Sequence, residues 1–373
     1  MENEYNITIE KIKEYLKEFL PATPNNEWYN RIFPGLDLAP EMVETLVNPL
    51  LEPGRELFNR GGKHWRPLLS HLVCQALGGG DEVLPLLPLI EYTHNASLIH
   101  DDLEDNSEQR RGKPAIHLIF GSDTAINSGS FLYLLPLVVL ENWKGEAEDC
   151  LLIWRLWSKY LRFLHLGQSI DISWHRNPSI IPSMDDYMFM CSLKTGCLAR
   201  FAALLGAETA FITHKKASDA SKQAICREHA IPLGDAAQKF GVGYQILDDV
   251  KNLSTGVKGK KRGDDVVEGK KSLPVLLFLQ DQSSNSGNYL NSSMNLTERT
   301  AFIQKCFAAA REGGISVPEV EEFIETLSKS GALAEAEKRG KALIAEARET
   351  FSALPAIDAK AVHMLTGLTE LLQ

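Results

Sequence analysis

The chain has 373 residues, 44% of them hydrophobic, which is enough for a sizeable core, and a formal charge of −10. That acidic balance excludes nucleic acid as the expected partner, because a phosphate backbone is bound by a basic surface. The six cysteines (Cys74, Cys150, Cys191, Cys197, Cys226 and Cys306) include none of the close pairs of a zinc or redox motif. Reduced thiols in a cytoplasmic protein are expected.

The start, MENEYNITIEKIKEYLKEFL, is charged throughout and lacks the apolar core of a signal peptide. Ile7 to Leu20 carries apolar residues at helical spacing, which predicts an amphipathic first helix. Residues 21–40 are rich in Pro and Asn and read as a loop turning Trp28, Tyr29 and Phe33 inward. On this reading residues 1–50 form an N-terminal helical extension to a domain spanning 51–373. Gly61 and Gly62 break the chain before Lys63, and helix resumes at Arg66-Pro67. Gly78 to Gly80 end a helix, and Asp81 is the expected N-cap of the next.

Ile90 to Asp105 is expected to be a helix ending in SLIHDDLEDNSEQRRG (97–112). Asp101 and Asp105 fall one turn apart on one face, with Asp102 beside them. Carboxylates that close repel one another unless cations fill the gap. Oxygen-only ligands suit Mg²⁺, which binds through one or two carboxylates plus substrate phosphate oxygens. Arg110 and Arg111 offer forked donors that match phosphate geometry. His94, seven residues before Asp101, shares its face; taken alone, it reads as a core histidine.

Ile116 to Leu140 continues as loop and helix, and its run 131–140, interrupted by Pro136, is too short to span a bilayer. A buried helix, and no stable membrane insertion, is expected there. Leu151 to Trp174 reads as another helix, with Gln168 and Asp171 at i, i+3, either pointing into a cavity or satisfying each other. In Asp185 to Leu205, Lys194 and Thr195 interrupt an apolar stretch; a buried lysine needs an anion. YQILDDVKNL (244–253) places Asp248 and Asp249 at the end of an apolar run, with Gln245 and Asn252 one turn to either side of Asp248. Residues 256–269, with Lys258, Lys260, Lys261 and Arg262, read as a basic surface loop, and 283–293 as a polar one. The remainder is helical, with breaks at Gly313-Gly314, 328–331 and Pro355. No strand-rich segment and no repeat of fixed period appears.

Together these blocks resemble the trans-isoprenyl diphosphate synthases, the all-helical polyprenyl synthetase family that makes geranyl, farnesyl, geranylgeranyl and longer diphosphates. DDLED and DDVKN are similar to its two aspartate-rich motifs. GGKHWRP, HNASLIHDD, GQSIDISW, KTG and GKKSLP keep the family's order from about residue 55 to 275. HNASL, DDLEDNSEQRRG and the asparagine ending the second motif are most similar to geranylgeranyl diphosphate synthases of the eukaryotic type. One departure is His64, which stands where many members carry another arginine.

The resemblance implies an all-α, single-domain helical bundle around a central active-site cavity, working as a homodimer. Isopentenyl diphosphate is condensed head-to-tail with dimethylallyl, geranyl or farnesyl diphosphate. Asp101, Asp105 and Asp248 are implied as Mg²⁺ ligands, and Asp101, Asp102, Lys194, Asp248 and Lys260 as catalytic. Gly62, Lys63, Arg66 and His94 are implied to hold isopentenyl diphosphate; Arg110, Arg111, Lys194, Thr195, Gln245, Lys260 and Lys270 complete the substrate contacts. In the family a bulky aromatic residue five positions before the first motif stops growth at fifteen carbons. Here Ala96 and Ser97 are small, so geranylgeranyl diphosphate is the expected product, with Tyr92 as the next floor. Longer-chain polyprenyl or farnesyl diphosphate synthases are the alternatives within the family. A terpene cyclase would not need Lys63, Arg66 and His94, and a non-catalytic isoprenoid-diphosphate-binding partner subunit typically loses motif acids that are present here.

Overall fold

Tyr5, Ile12, Leu16 and Phe19 recur every three, four or seven residues, and they are the buried stripe of helix α1 (Glu2–Phe19). The computed structural model describes residues 2–37, 39, 42–143, 145–256, 261–279, 294–355 and 357–371. The next helices are α2 (Asn26–Ile32), α3 (Asn48–Asn59), α4 (Trp65–Ala76), α5 (Pro88–Glu104), α6 (Ile116–Phe120), α7 (Ser122–Leu134) and α8 (Val138–Asn142). They are followed by α9 (Ala147–Arg176), α10 (Met184–Cys191), α11 (Cys197–Lys216), α12 (Ala220–Leu253), α13 (Asp264–Glu268) and α14 (Leu273–Leu279). The last are α15 (Leu296–Gly313), α16 (Pro318–Ser330), α17 (Ala332–Ser352) and α18 (Ala359–Leu371). The fold is all-α.

Two compact units form: Met1–Leu161 with Leu198–Ala237 and Thr350–Glu370, and Arg162–Cys197 with Gln238–Glu349 and Leu371–Gln373. In the first, α4 is buried almost throughout. A Cβ on Gly206 would lie 2.3 Å from the Ser70 carbonyl oxygen, so only glycine lets α11 approach the α4 backbone this closely. In the second, Tyr187, Ile246, Phe278, Cys306, Phe323 and Leu327 form part of one continuous apolar core.

Three segments differ from the sequence reading. Residues 26–32, expected as loop, are helical: the Asn25 side chain accepts from Trp28 N at 2.8 Å, and Trp28 Nε1 donates to the Phe19 carbonyl at 2.8 Å. A helix this short, framed by Pro24 and Pro34, is too brief to show periodicity. Asp81 is not a cap: it accepts from His71 Nε2 at 2.8 Å and pairs with Lys11, while α5 begins at Pro88, after a 3₁₀ turn. The run 131–140 is not one buried helix. Pro136 lacks a donor and sits in a 3₁₀ turn between α7 and α8, and Leu134 is 61% exposed.

By length and composition two stretches, Ser122–Asn142 and Met184–Lys216, could cross a membrane; the second is largely buried within the protein.

Candidate active site

In the first unit, Asp101, Asp102, Glu104 and Asp105 crowd the end of α5, where Asp105 N closes the last turn on the Asp101 carbonyl at 2.9 Å. Acids at a helix C-terminus oppose its dipole, so the cluster needs cations. One is supplied locally. Gln109–Arg110 pairs antiparallel with Lys113–Pro114, and Arg111 and Gly112 between them both have positive φ, the geometry of a tight hairpin turn. This turn folds Arg110 back on α5. Its Nε donates to Asp102 Oδ1 at 2.8 Å and its Nη2 to Asp101 Oδ2 at 3.2 Å, with a further Nη2 bond to Asp102. Asp102 is fully buried, whereas Asp101 and Asp105 are half-buried.

The hairpin is fixed from behind by Arg60, which donates to the Arg110 and Pro114 carbonyls at 3.1 and 2.9 Å. Arg111 donates to the Leu57 carbonyl at 3.0 Å, and a Cβ on Gly62 would come within 3.1 Å of its guanidinium. The GGKHWRP turn thus lies against the hairpin. Lys63 is exposed, and Arg66 Nη1 lies 3.2 Å from His94 Nε2. Arginine only donates, so Nε2 accepts and the ring proton sits on Nδ1. Burial, then the charges of Arg66, Arg111 and Arg110, push the His94 pKa well below the usual range, so the ring is neutral. His64, at the family's arginine position, turns inward instead: it is 5% exposed and its Nδ1 meets Glu91 Oε1 at 2.9 Å.

In the second unit, α12 presents Asp248 half-buried and Asp249 buried. Asp249 accepts from Gln245 Nε2 at 2.7 Å and from the Tyr187 hydroxyl at 3.0 Å. Burial lifts its pKa to about 6, with the Gln245 bond opposing and the Asp248 charge adding. Gln245 in turn accepts from Thr195 Oγ1 at 2.8 Å. Asn252 accepts from Asp265 N at 3.3 Å. Both polar neighbours of Asp248 are therefore turned to structural tasks.

Lys194 and Thr195 lie in a π-helical turn, Ser192–Gly196. Such turns are rare and cluster at functional sites. A Cβ on Gly167 would lie 2.3 Å from Lys194 N, so α9 reaches the turn backbone to backbone. Lys194 Nζ donates to Asp171 Oδ2 at 2.5 Å. Burial would raise the Asp171 pKa, but the Lys194 and Lys270 charges outweigh it and keep the carboxyl ionised. Asp171 is thus in an ion pair with Lys194, a partner that neither of the two readings left open for Gln168 and Asp171 named. Lys270 pairs with Glu268 and lies 3.9 Å from Asp265. Lys258 and Lys260 fall outside the described residues.

Sequence reasoning missed Tyr187 and Glu91. A tyrosine four residues before Cys191 gives no motif signal, and a glutamate on an apolar helix betrays its burial only by the company it keeps.

Among the described residues no three His, Cys, Asp or Glu side chains gather into a ready-made metal cage. Asp101 and Asp105 in the first unit, and Asp248 in the second, present half-buried carboxylates of the oxygen type that a divalent cation takes; Asp102 Oδ1 and the two Asp249 oxygens are engaged by Arg110, Gln245 and Tyr187.

An all-helical fold with paired acids on two helices, each near basic residues, is that of the isoprenyl diphosphate synthases. A family model described as polyprenyl synthetase matches residues 47–310, and the chain belongs to that family. It is a trans-prenyltransferase. It is 31% identical over 255 residues to a geranylgeranyl pyrophosphate synthase of Eremothecium gossypii, covering 66% of this chain and 74% of that one. It is 28% identical over 322 residues to a geranylfarnesyl diphosphate synthase of Aeropyrum pernix, covering 84% and 90%. Among solved structures, geranylgeranyl pyrophosphate synthetase of Pyrococcus horikoshii superposes with a TM-score of 0.75 at 25% identity, over 99% of this chain and 97% of that one. Members of the family depend on a divalent cation.

Proposed function

We propose that the chain elongates an allylic diphosphate with isopentenyl diphosphate and releases chiefly geranylgeranyl diphosphate. The observation carrying this reading is the pairing, at the end of α5, of half-buried Asp101 and Asp105 with the cluster Gly62, Lys63, Arg66, His94 and Arg111. One helix end thus offers oxygen ligands for a cation beside donors for a diphosphate. Asp101 and Asp105 in the first unit and Asp248 in the second would be the ligands of a divalent cation, Mg²⁺ on this reading, which when bound would supply charge neutralisation for the departing diphosphate.

The side chains do the rest by placement. Lys63, Arg66 and the neutral Nδ1–H of His94 bind the diphosphate of isopentenyl diphosphate. Lys194, Lys270 and Arg110 add positive charge where the leaving group develops its own, with Lys260 assigned the same task. For Lys194 and Arg110 this means exchanging a carboxylate partner, Asp171 or Asp102, for a phosphate oxygen. Breaking the allylic C–O bond leaves its electron pair on diphosphate; the isopentenyl double bond attacks the cation, and diphosphate takes the proton then lost. No side-chain nucleophile is required. Ala96 is fully buried on α5, and Tyr92 one turn earlier is buried too, with its ring 5.4 Å from Phe19 and its hydroxyl donating to the Leu16 carbonyl at 2.6 Å. Ala96 leaves room for the growing chain, and Tyr92, held rigidly, ends it.

The test is product analysis. Purified protein with Mg²⁺ and isopentenyl diphosphate receives dimethylallyl, geranyl or farnesyl diphosphate, and the alcohols are sized after phosphatase treatment. A dominant twenty-carbon alcohol is expected; a longer ladder overturns the product assignment, and no elongation with any primer overturns the activity.

A cytoplasmic homodimer is part of the same proposal. It is supported by α6 and α7, successive helices that leave Leu118, Ile119, Ile126 and Leu134 exposed. In size-exclusion chromatography with light scattering, the unmodified chain is expected as a dimer and Ile126→Glu with Leu134→Glu as a monomer. Equal masses for the two would refute this interface.

A further inference from the structure

Among the buried acids that the mechanism above does not use, the most deeply buried is Glu91. Glu91, on α5 three residues before His94, is 2% exposed. A carboxylate at that depth persists only if paired and hydrogen-bonded. Its Oε1 meets His64 Nδ1 at 2.9 Å. Burial pushes its pKa up, but the His64 bond and the charges of His64, Arg111 and Arg66 outweigh this and hold the carboxyl ionised. The groups facing it come from three separate segments: the 61–64 turn, α4 and the 109–114 hairpin.

His64 has φ 44°, a left-handed conformation that residues with a side chain avoid. The consequence is directional. Its ring turns inward to Glu91 and lies 5.5 Å from Phe58, while Gly62 and Lys63 stay exposed, with Gly62 against Arg111.

We infer that Glu91 is a positioning residue for the isopentenyl diphosphate subsite. Through His64 it fixes the turn that carries Gly62 and Lys63 and that lies against Arg111. This rests on the assignment of Lys63, Arg66 and His94 proposed above.

The test uses the full chain with Mg²⁺, varying isopentenyl diphosphate at saturating farnesyl diphosphate and then the reverse. Glu91→Gln is expected to raise the KM for isopentenyl diphosphate about tenfold, leaving kcat and the KM for farnesyl diphosphate within about twofold. A merely structural lesion lowers kcat or raises both KM values together, and either pattern overturns the inference. If Glu91→Gln does not fold, His64 carries the test. His64→Asn tolerates the left-handed backbone and places an amide nitrogen where Nδ1 stood, so its KM is expected near that of the unmodified enzyme. His64→Ala, which removes the donor, is expected to show the raised KM; equal values for the two variants overturn the inference. If the unmodified enzyme elongates no primer, the functional reading falls. If it elongates and Glu91→Gln leaves the KM unchanged, this inference falls alone.

Discussion

Asp101→Asn is expected to lower kcat about a thousandfold and, at the same time, to raise the thermal midpoint of the metal-free protein by about 1–3 °C. The two signs have one origin. Asp101 shares the last turn of α5 with Asp102 and Glu104, with Asp105 as its cap, at the negative end of the helix dipole. Removing one charge relieves repulsion there. The cost is small, because Arg110 keeps its bonds to Asp102 when the 3.2 Å contact to Asp101 is weakened. On the proposed assignment, the variant would lose a ligand for the cation that neutralises the departing diphosphate. Calorimetry with and without Mg²⁺ and diphosphate separates the effects: the unmodified protein is expected to gain stability with both present, and the variant to gain much less. A variant that turned over normally would remove Asp101 from the metal site.

The helical architecture and both acid pairs were legible because they obey a period. Asp101 and Asp105 are one turn apart on a single helix, and that relation survives any tertiary context. What each acid does was not legible. Asp102 and Asp249 occupy the same places in their motifs as ligands would by composition. Only the fold shows that a hairpin turns Arg110 onto one, while Gln245 and Tyr187 hold the other. Tyr187 is 62 residues away from its partner, a separation no pattern spans. Likewise the π turn at Ser192–Gly196 has no sequence signature beyond the two glycines it packs with or contains, Gly167 and Gly196. Lys194 was correctly expected to need an anion, but Asp171 as the resident one follows from that turn and not from spacing. His64 shows the opposite case. In sequence it is only a departure from the family's arginine, and its backbone angle and 5% exposure show it facing the core.

Ala96→Phe is expected to convert a twenty-carbon synthase into one that stops at fifteen. Ala96 is fully buried on α5, five residues before Asp101, and Tyr92 lies on the same side one turn deeper. The diphosphate is fixed at the acidic end, so each added five-carbon unit drives the tail back along the helix. A phenyl ring at 96 fills that space before the fourth unit enters. If there were no room, overpacking would cost about 1–3 kcal/mol and appear as a lower thermal midpoint with all products reduced alike. If the room is the product tunnel, the protein stays folded. Farnesol then replaces geranylgeraniol as the dominant alcohol when geranyl diphosphate is the primer, and turnover of farnesyl diphosphate falls about tenfold or more. The contrast between primers is what decides the matter, since a general packing defect cannot tell a ten-carbon primer from a fifteen-carbon one. An unchanged product distribution would place the tunnel on another face of α5 and release Tyr92 from its role as the floor.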